Sequence, residues 1–380
     1  MSSCYHHECV ILCIVSQLFL TTSEFITAAH KLHYKGRKTA HSLYLPFAMS
    51  AELPIILYHY PFSPYARRVA WYMQLRGIPY SQCMQPPIKP RPDIAALGIK
   101  YRRIPILSIG RDVYLDTRLI MQKLEKLYPD RPRLGSDGNA EHKAFERLLE
   151  IWAIDGGLFT AAMRLLPPDL PLLKDPKFQK DRADYTGQKM TRGEAAALRP
   201  EALNEIQNAM ELLETTLLAD GNDWILNTKK PSLADIETVW VFHWLAGLPG
   251  ALPPNYEKQF PKVFAWIKRF RGAVSATKKT QGDPKTLSGE EAAKIIRQSS
   301  FNESEKAVEE SEAVVQFHKL KSGQLVEVWP TDSGSSHKDV GKLVALSSKE
   351  VVIETKAGVH VHAPRHGFRV RAASQSAPNL

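Results

Sequence analysis

The chain has 380 residues, 44% of them hydrophobic and 24% charged, with a formal net charge of +10. This suits soluble globular material of two or three domains and excludes a disulfide scaffold, because Cys4, Cys9 and Cys13 crowd the N-terminus and Cys83 stands alone in the rest. A reducing, cytoplasmic setting is the expectation. The positive charge is dispersed, with no Lys/Arg block, zinc-finger spacing or RNA-binding signature, so no nucleic-acid partner is expected.

Residues 1–48 read as a poorly structured extension, the alternative being a targeting or anchoring segment. The apolar run VILCIVSQLFL, Val10 to Leu20, is too short to span a bilayer, and no Lys or Arg precedes it. No membrane partner is expected. Domain-like sequence begins after Met49. PIILYHY reads as a buried strand, Tyr65 to Arg76 as a helix closed by Gly77, and IPYSQCMQ as a second strand. KPRPDIAALG is proline-rich and then briefly helical. IPILSIG and DVYLD make a hairpin about Gly110 and Arg111, and TRLIMQKLEKLY is an amphipathic helix. The order β-α-β-α-β-β-α over 49–132 predicts a small mixed sheet covered by helices.

Residues 138–272 change to long helical patterns punctuated by proline: Glu141 to Leu166, Glu201 to Leu218, Leu233 to Ala246 and Lys258 to Phe270. This predicts an all-helical domain. Residues 273–316 are polar, then acidic, and read as a linker. Over 317–373 the period becomes two. GQLVEVWP, VGKLVALS, EVVIETK, VHVHAP and GFRVRA predict five short strands in a small β-barrel-like domain. The fold class is therefore α+β and multidomain.

Four motifs carry chemistry or architecture: SPYARRV from Ser63, RRIPIL around Pro105, LDTRLI around Asp116 and Thr117, and PSLADIETVWVFHWL with a capping-box variant, Ser232 to Asp235. In this order and spacing they resemble cytosolic glutathione transferases over residues 54–272. With the β-rich tail, the arrangement looks most like a group of fungal glutathione-transferase-like proteins. The resemblance implies a thioredoxin-like N-terminal domain, a glutathione-transferase-type helical domain, a homodimer and a detoxifying role. The implied reaction is conjugation of glutathione to a small hydrophobic electrophile, or else binding without catalysis.

Ser63, at the mouth of a helix, is either its cap or the hydroxyl that donates to the glutathione thiolate, with Tyr60 as the competing donor. The resemblance implies a glutathione site of Phe62, Ser63, Ile104, Pro105, Asp116 and Thr117, with a cis peptide before Pro105. Serine where redox relatives carry cysteine argues against disulfide chemistry. Trp152, Phe159 and Met163 recur at helical spacing and are candidates for a second-substrate pocket or for core. Cys83 reads as a buried small hydrophobe. His360 and His362 share one face of a strand, but no cysteine or carboxylate sits close in sequence, so no metal is expected.

Overall fold

The computed structural model describes residues 52–373 except 130, 137, 188–191 and 305–306; the extension 1–48, with its apolar run, lies outside the described residues. The first unit follows the predicted order: β1 (Ile55–His59), α1 (Pro64–Arg76), β2 (Ser81–Met84), α2 (Pro92–Ala95), β3 (Ile106–Ile109), β4 (Asp112–Leu115) and α3 (Thr117–Leu127). Gly77 closes α1 in the left-handed region at φ +65°, and the Ile78 N–H returns to the Met73 carbonyl at 2.9 Å, which satisfies carbonyls that the helix end would leave unpaired.

The helical region contains α4 (Ala140–Ile154), α5 (Leu158–Arg164), α6 (Pro171–Lys174), α7 (Pro176–Thr186), α8 (Arg192–Ala197), α9 (Arg199–Leu212) with a π-helical turn Leu213–Leu217, α10 (Leu233–Ala246), α11 (Tyr256–Gln259) and α12 (Pro261–Gln281). α10 is buried on all sides from Ala234 to Phe242, as an apolar helix at the centre of a domain should be. Asp235 anchors it: one carboxylate oxygen accepts the Ser232 N–H (2.8 Å), the other the Ile225 N–H (3.0 Å) and the Trp266 indole N–H (2.9 Å). The capping-box reading thus holds, with the box also tying α10 to α12. The helix predicted from 141 to 166 breaks at 155–157. A Cβ at Gly156 would stand 2.7 Å from the Trp152 carbonyl oxygen, and Gly157 sits at φ +86°.

The chain continues with β5 (Lys285–Leu287), α13 (Gly289–Gln298), α14 (Ala313–His318), β6 (Leu325–Pro330), β7 (Asp339–Leu346), β8 (Glu350–Glu354), β9 (His360–Pro364) and β10 (Phe368–Ala372). All five tail strands appear where the period-two pattern puts them, yet they do not close into a separate barrel. β9 pairs in parallel with β4 (Asp112↔His360, Tyr114↔His362) and β5 with β2 (Ser81↔Lys285), giving one ten-stranded sheet in the order β10-β6-β7-β8-β9-β4-β3-β1-β2-β5. An edge strand exposes unpaired N–H and C=O groups, and the later segments cover both edges of the first unit. The stretch read as linker is likewise built into the body. α12 runs to Gln281, β5 extends the sheet, and Ala292, Ala293 and Ile296 of α13 are buried. The overlooked signal was the capping box Ser288 to Glu291.

Alternation along β1 feeds two cores. Ile55 and Leu57 pack with the helical region, while Ile56 and Tyr58 join Val113, Leu115, Val326, Val328 and Leu343 on the tail side. This is the α+β arrangement expected, with the β-rich part fused to the first unit.

Candidate functional site

Three strand ends meet at one end of the sheet. Tyr58 lies opposite Ile106, and Ile106 opposite Leu115. With strands about 4.8 Å apart, this row spans about 10 Å. The residues next outward are Tyr60 to Ser63, Ile104 with Pro105, and Asp116 with Thr117, so strand register brings together the three motifs read from the sequence.

Ser63 is the N-cap of α1. Its Oγ accepts the Ala66 N–H at 3.3 Å, and its hydroxyl is also hydrogen-bonded to the Tyr60 phenol. The side chain is 2% exposed, at a helix end whose free N–H groups favour an anion. The Tyr60 phenol lies beside it; burial pushes the Tyr60 pKa up, with Arg182 and Arg91 opposing, so Tyr60 stays protonated at neutral pH. Phe62 is largely exposed, its ring 4.7 Å from that of Tyr60. The Ile104–Pro105 peptide is cis, as expected, and so is Lys89–Pro90.

Asp116 takes φ +65°, and its carboxylate accepts the Arg118 N–H at 3.0 Å, capping α3. The Thr117 hydroxyl accepts from Arg68 Nη1 at 2.5 Å. Arg68 is fully buried, hydrogen-bonded to Glu237 and 3.8 Å from Glu150. Sequence reasoning passed over Arg68, although an arginine amid Ala66, Val69, Tyr72 and Met73 on a buried helix face is a signal, since such a charge needs a partner.

A cover lies over these strand ends. Tyr185 of α7 is near both Tyr60 and Tyr65, and the Arg102 and Arg182 guanidinium groups sit 5.0 Å from its ring. Arg102 binds Asp181 at 2.8 Å and also pairs with Asp184, which His337 meets at 2.8 Å. The Gly334 N–H donates to the Tyr185 carbonyl at 2.7 Å. With this cover in place Ser63, Ile104 and Thr117 are all buried.

The remaining candidates fall elsewhere. The break at Gly156 and Gly157 removes the common helix face argued for Trp152, Phe159 and Met163. Phe159 packs among Tyr65, Trp240 and Trp244, Trp152 faces Phe242, and Met163 is exposed. Cys83 is buried, its thiol pushed up to about 12 by burial and then by Asp93, so it is not a thiolate at neutral pH. No helix of the described residues is long and apolar enough to cross a membrane.

Residues 57–132 match the family model "Glutathione S-transferase, N-terminal domain", and 161–279 match a domain of unknown function, DUF7962. No curated protein matches the chain. Among solved structures, a GST-like protein from Pseudomonas syringae is 25% identical, covering 84% of this chain and 99% of its own, with a TM-score of 0.63. Rice GST1 in complex with glutathione is 18% identical (64% of this chain, 96% of that one, TM-score 0.45). A glutathione S-transferase from Methylobacillus flagellatus with bound glutathione is 20% identical (59% and 98%, TM-score 0.44). The fold is glutathione-transferase-like, a thioredoxin-like unit followed by a helical region. The family model thus covers the first unit, and the Pseudomonas structure shares the fold over most of the chain.

Proposed function

We propose that the chain binds glutathione at the strand ends and conjugates its thiolate to a small hydrophobic electrophile. The observation that carries this is the Ser63 hydroxyl: it caps the α1 N-terminus through the Ala66 N–H and, hydrogen-bonded to the Tyr60 phenol, can turn its proton to a thiolate bound there. A free thiol is only a few per cent ionised at neutral pH, and lowering its pKa by about two units takes about 2.7 kcal/mol of selective thiolate stabilisation. A hydroxyl donor at a helix N-terminus is suited to supply it.

On this reading the Ile104 backbone pairs with the peptide-like body of glutathione, and Asp116 and Thr117 receive its γ-glutamyl end, with Arg68 fixing the Thr117 hydroxyl. Phe62 flanks the entrance. The reading carries with it a homodimer and a cytoplasmic, detoxifying role.

A second reading, glutathione or ligand binding without catalysis, is favoured by the burial of Ser63. One experiment separates the two. Glutathione affinity is measured on the full chain, followed by conjugation to a panel of electrophiles. Catalysis predicts that Ser63→Ala lowers kcat/KM at least tenfold, equivalent to about 1.4 kcal/mol, while Tyr60→Phe changes it little. Binding without turnover in the wild type supports the second reading, and failure to bind glutathione overturns both.

A further inference from the structure

The seam between β4 and β9 holds a polar cluster that the glutathione reading does not use. Asp112 opens β4 and is fully buried; His360 and His362 project from β9 and are 9% and 2% exposed. Asp112 Oδ1 lies 2.7 Å from His362 Nε2 and 3.6 Å from His360 Nδ1, and the three donor atoms fall within 4.8 Å of one another. A cavity of about 10 Å³ is lined by Asp112, Glu303, His360 and His362 among others, room for a single small species.

The surroundings are those of a coordination site. The other Asp112 oxygen is held by the Asn302 and Glu303 N–H groups at 2.5 and 3.1 Å, which leaves Oδ1 turned towards the imidazoles. His362 Nδ1 meets Glu350 Oε1 at 2.6 Å, and Glu350 is in turn held by Lys123 at 2.9 Å. A metal-ligating histidine typically hands its second ring N–H to a carboxylate in this way, which fixes the tautomer. His360 is oriented by stacking on Phe301, with centroids 3.9 Å apart. Asp112, Glu303 and Glu350 bring three carboxylates to the cluster, and Lys123 pairs with Glu303 and Glu350.

We propose that Asp112, His360 and His362 bind one zinc-class divalent cation through Oδ1, Nδ1 and Nε2, with Glu303 lining the fourth side. In a tetrahedral zinc site with bonds of about 2.0–2.1 Å, donors stand about 3.3 Å apart, between the two separations found here. Two imidazoles with one carboxylate also suit ferrous iron, but that chemistry needs open positions for substrate, and all three donor residues here are buried. The ion is therefore structural: it staples the tail strand β9 and the segment 301–303 to the edge of the first unit. The sequence hid the site because its carboxylate comes from β4, some 250 residues before His362. His366, two residues past β9, meets Asp155 instead, at 3.2 Å.

The test uses the full chain, stripped with chelator and titrated with Zn²⁺ and separately with Co²⁺. One high-affinity equivalent per chain, a zinc-dependent rise in melting temperature and a tetrahedral Co²⁺ visible spectrum are expected. Because Cys4, His6, His7 and Cys9 could bind metal on their own, the difference made by His360→Gln is the readout: the equivalent and the thermal shift should vanish. Glu350→Gln should weaken zinc about 10–100-fold. Zinc-edge X-ray absorption on the wild type, which depends on no variant, should report two imidazoles and oxygen ligation. A folded, metal-free wild type that takes up no zinc, or an equivalent untouched by His360→Gln, overturns the proposal and leaves His362 as an imidazolium clamped between Asp112 and Glu350.

Discussion

Two aspartates four residues apart bracket β4, one at its start and one just past its end, and they differ in the reach of their partners. Asp116, just past the strand, accepts the backbone N–H of Arg118, two residues on. Asp112, at its start, is bonded to Asn302, Glu303 and His362. The first is a local device that caps a helix and shapes a turn. The second exists only once the tail has docked. Substitution should expose the difference. Asp112→Ala strips a buried charge partner from His362 and orphans two backbone N–H groups, for an expected loss of about 3–5 kcal/mol. Asp116→Ala removes a cap and puts alanine at φ +65°, for about 1–2 kcal/mol, and its main effect should be on glutathione affinity. Urea denaturation of the two variants makes the comparison, and equal stability losses would break it.

The same distinction explains what the sequence could reveal. Ser63, Pro105 and Asp116 were legible because each sits at a strand or helix end that turn chemistry and periodicity locate, and register then brings them together. The boundaries of α10 and all five tail strands were legible for the same reason. Long-range pairing was not. Nothing local says that the β9 backbone pairs with β4, that β5 pairs with β2, or that Asp112 will face His362. The 141–166 helix was misread as continuous because its apolar period runs on across Asp155–Gly157, where the close approach of Gly156 to Trp152 and the left-handed φ of Gly157 demand glycine. The segment 167–198 gave no helix signal because its apolar positions are sparse: α6 buries no residue and α7 buries only Phe178.

A second buried aspartate at a tail contact sharpens the contrast with Asp112. Asp339, at the start of β7, accepts the Lys100 and Tyr101 N–H groups at 2.5 and 3.0 Å. Burial pushes its pKa up to about 6; those two N–H groups, Lys100 and Lys89 oppose the rise without cancelling it. For Asp112, burial also acts upwards, but hydrogen bonds from His360 and His362 outweigh it and hold the carboxyl well below the usual range. Between about pH 4 and 6 the folded chain keeps a proton on Asp339 that the unfolded chain has released, so this group's contribution to stability falls as pH rises through that window and then levels off. A shift of about two units corresponds to about 3 kcal/mol. Asp339→Asn keeps an acceptor for the two N–H groups and removes the titration. Relative to wild type it should gain about 3 kcal/mol on going from pH 4 to pH 7, measured by urea unfolding at each pH. A wild-type-to-variant difference that stays flat across the window would show that Asp339 does not titrate there.

The cover over the strand ends is held differently from the β4–β9 seam, and it should yield more easily. Between α7 and residues 331–338 it has one backbone bond, Gly334 N–H to the Tyr185 carbonyl, and one side-chain link, through Asp184, which is half exposed and pairs with Arg102 and His337. Exposed pairs of this kind contribute about 0.2–1 kcal/mol each, against several for a buried one. Asp184→Asn should therefore cost little global stability, yet favour the open position of α7 by about 1 kcal/mol. Since 1.4 kcal/mol is tenfold in an equilibrium constant, this corresponds to glutathione binding about fivefold tighter if the closed cover must open first. Binding measured by calorimetry on wild type and Asp184→Asn decides the point. Unchanged affinity would mean that α7 does not gate the strand-end site, and weaker binding would mean that the closed position is the one that holds the ligand.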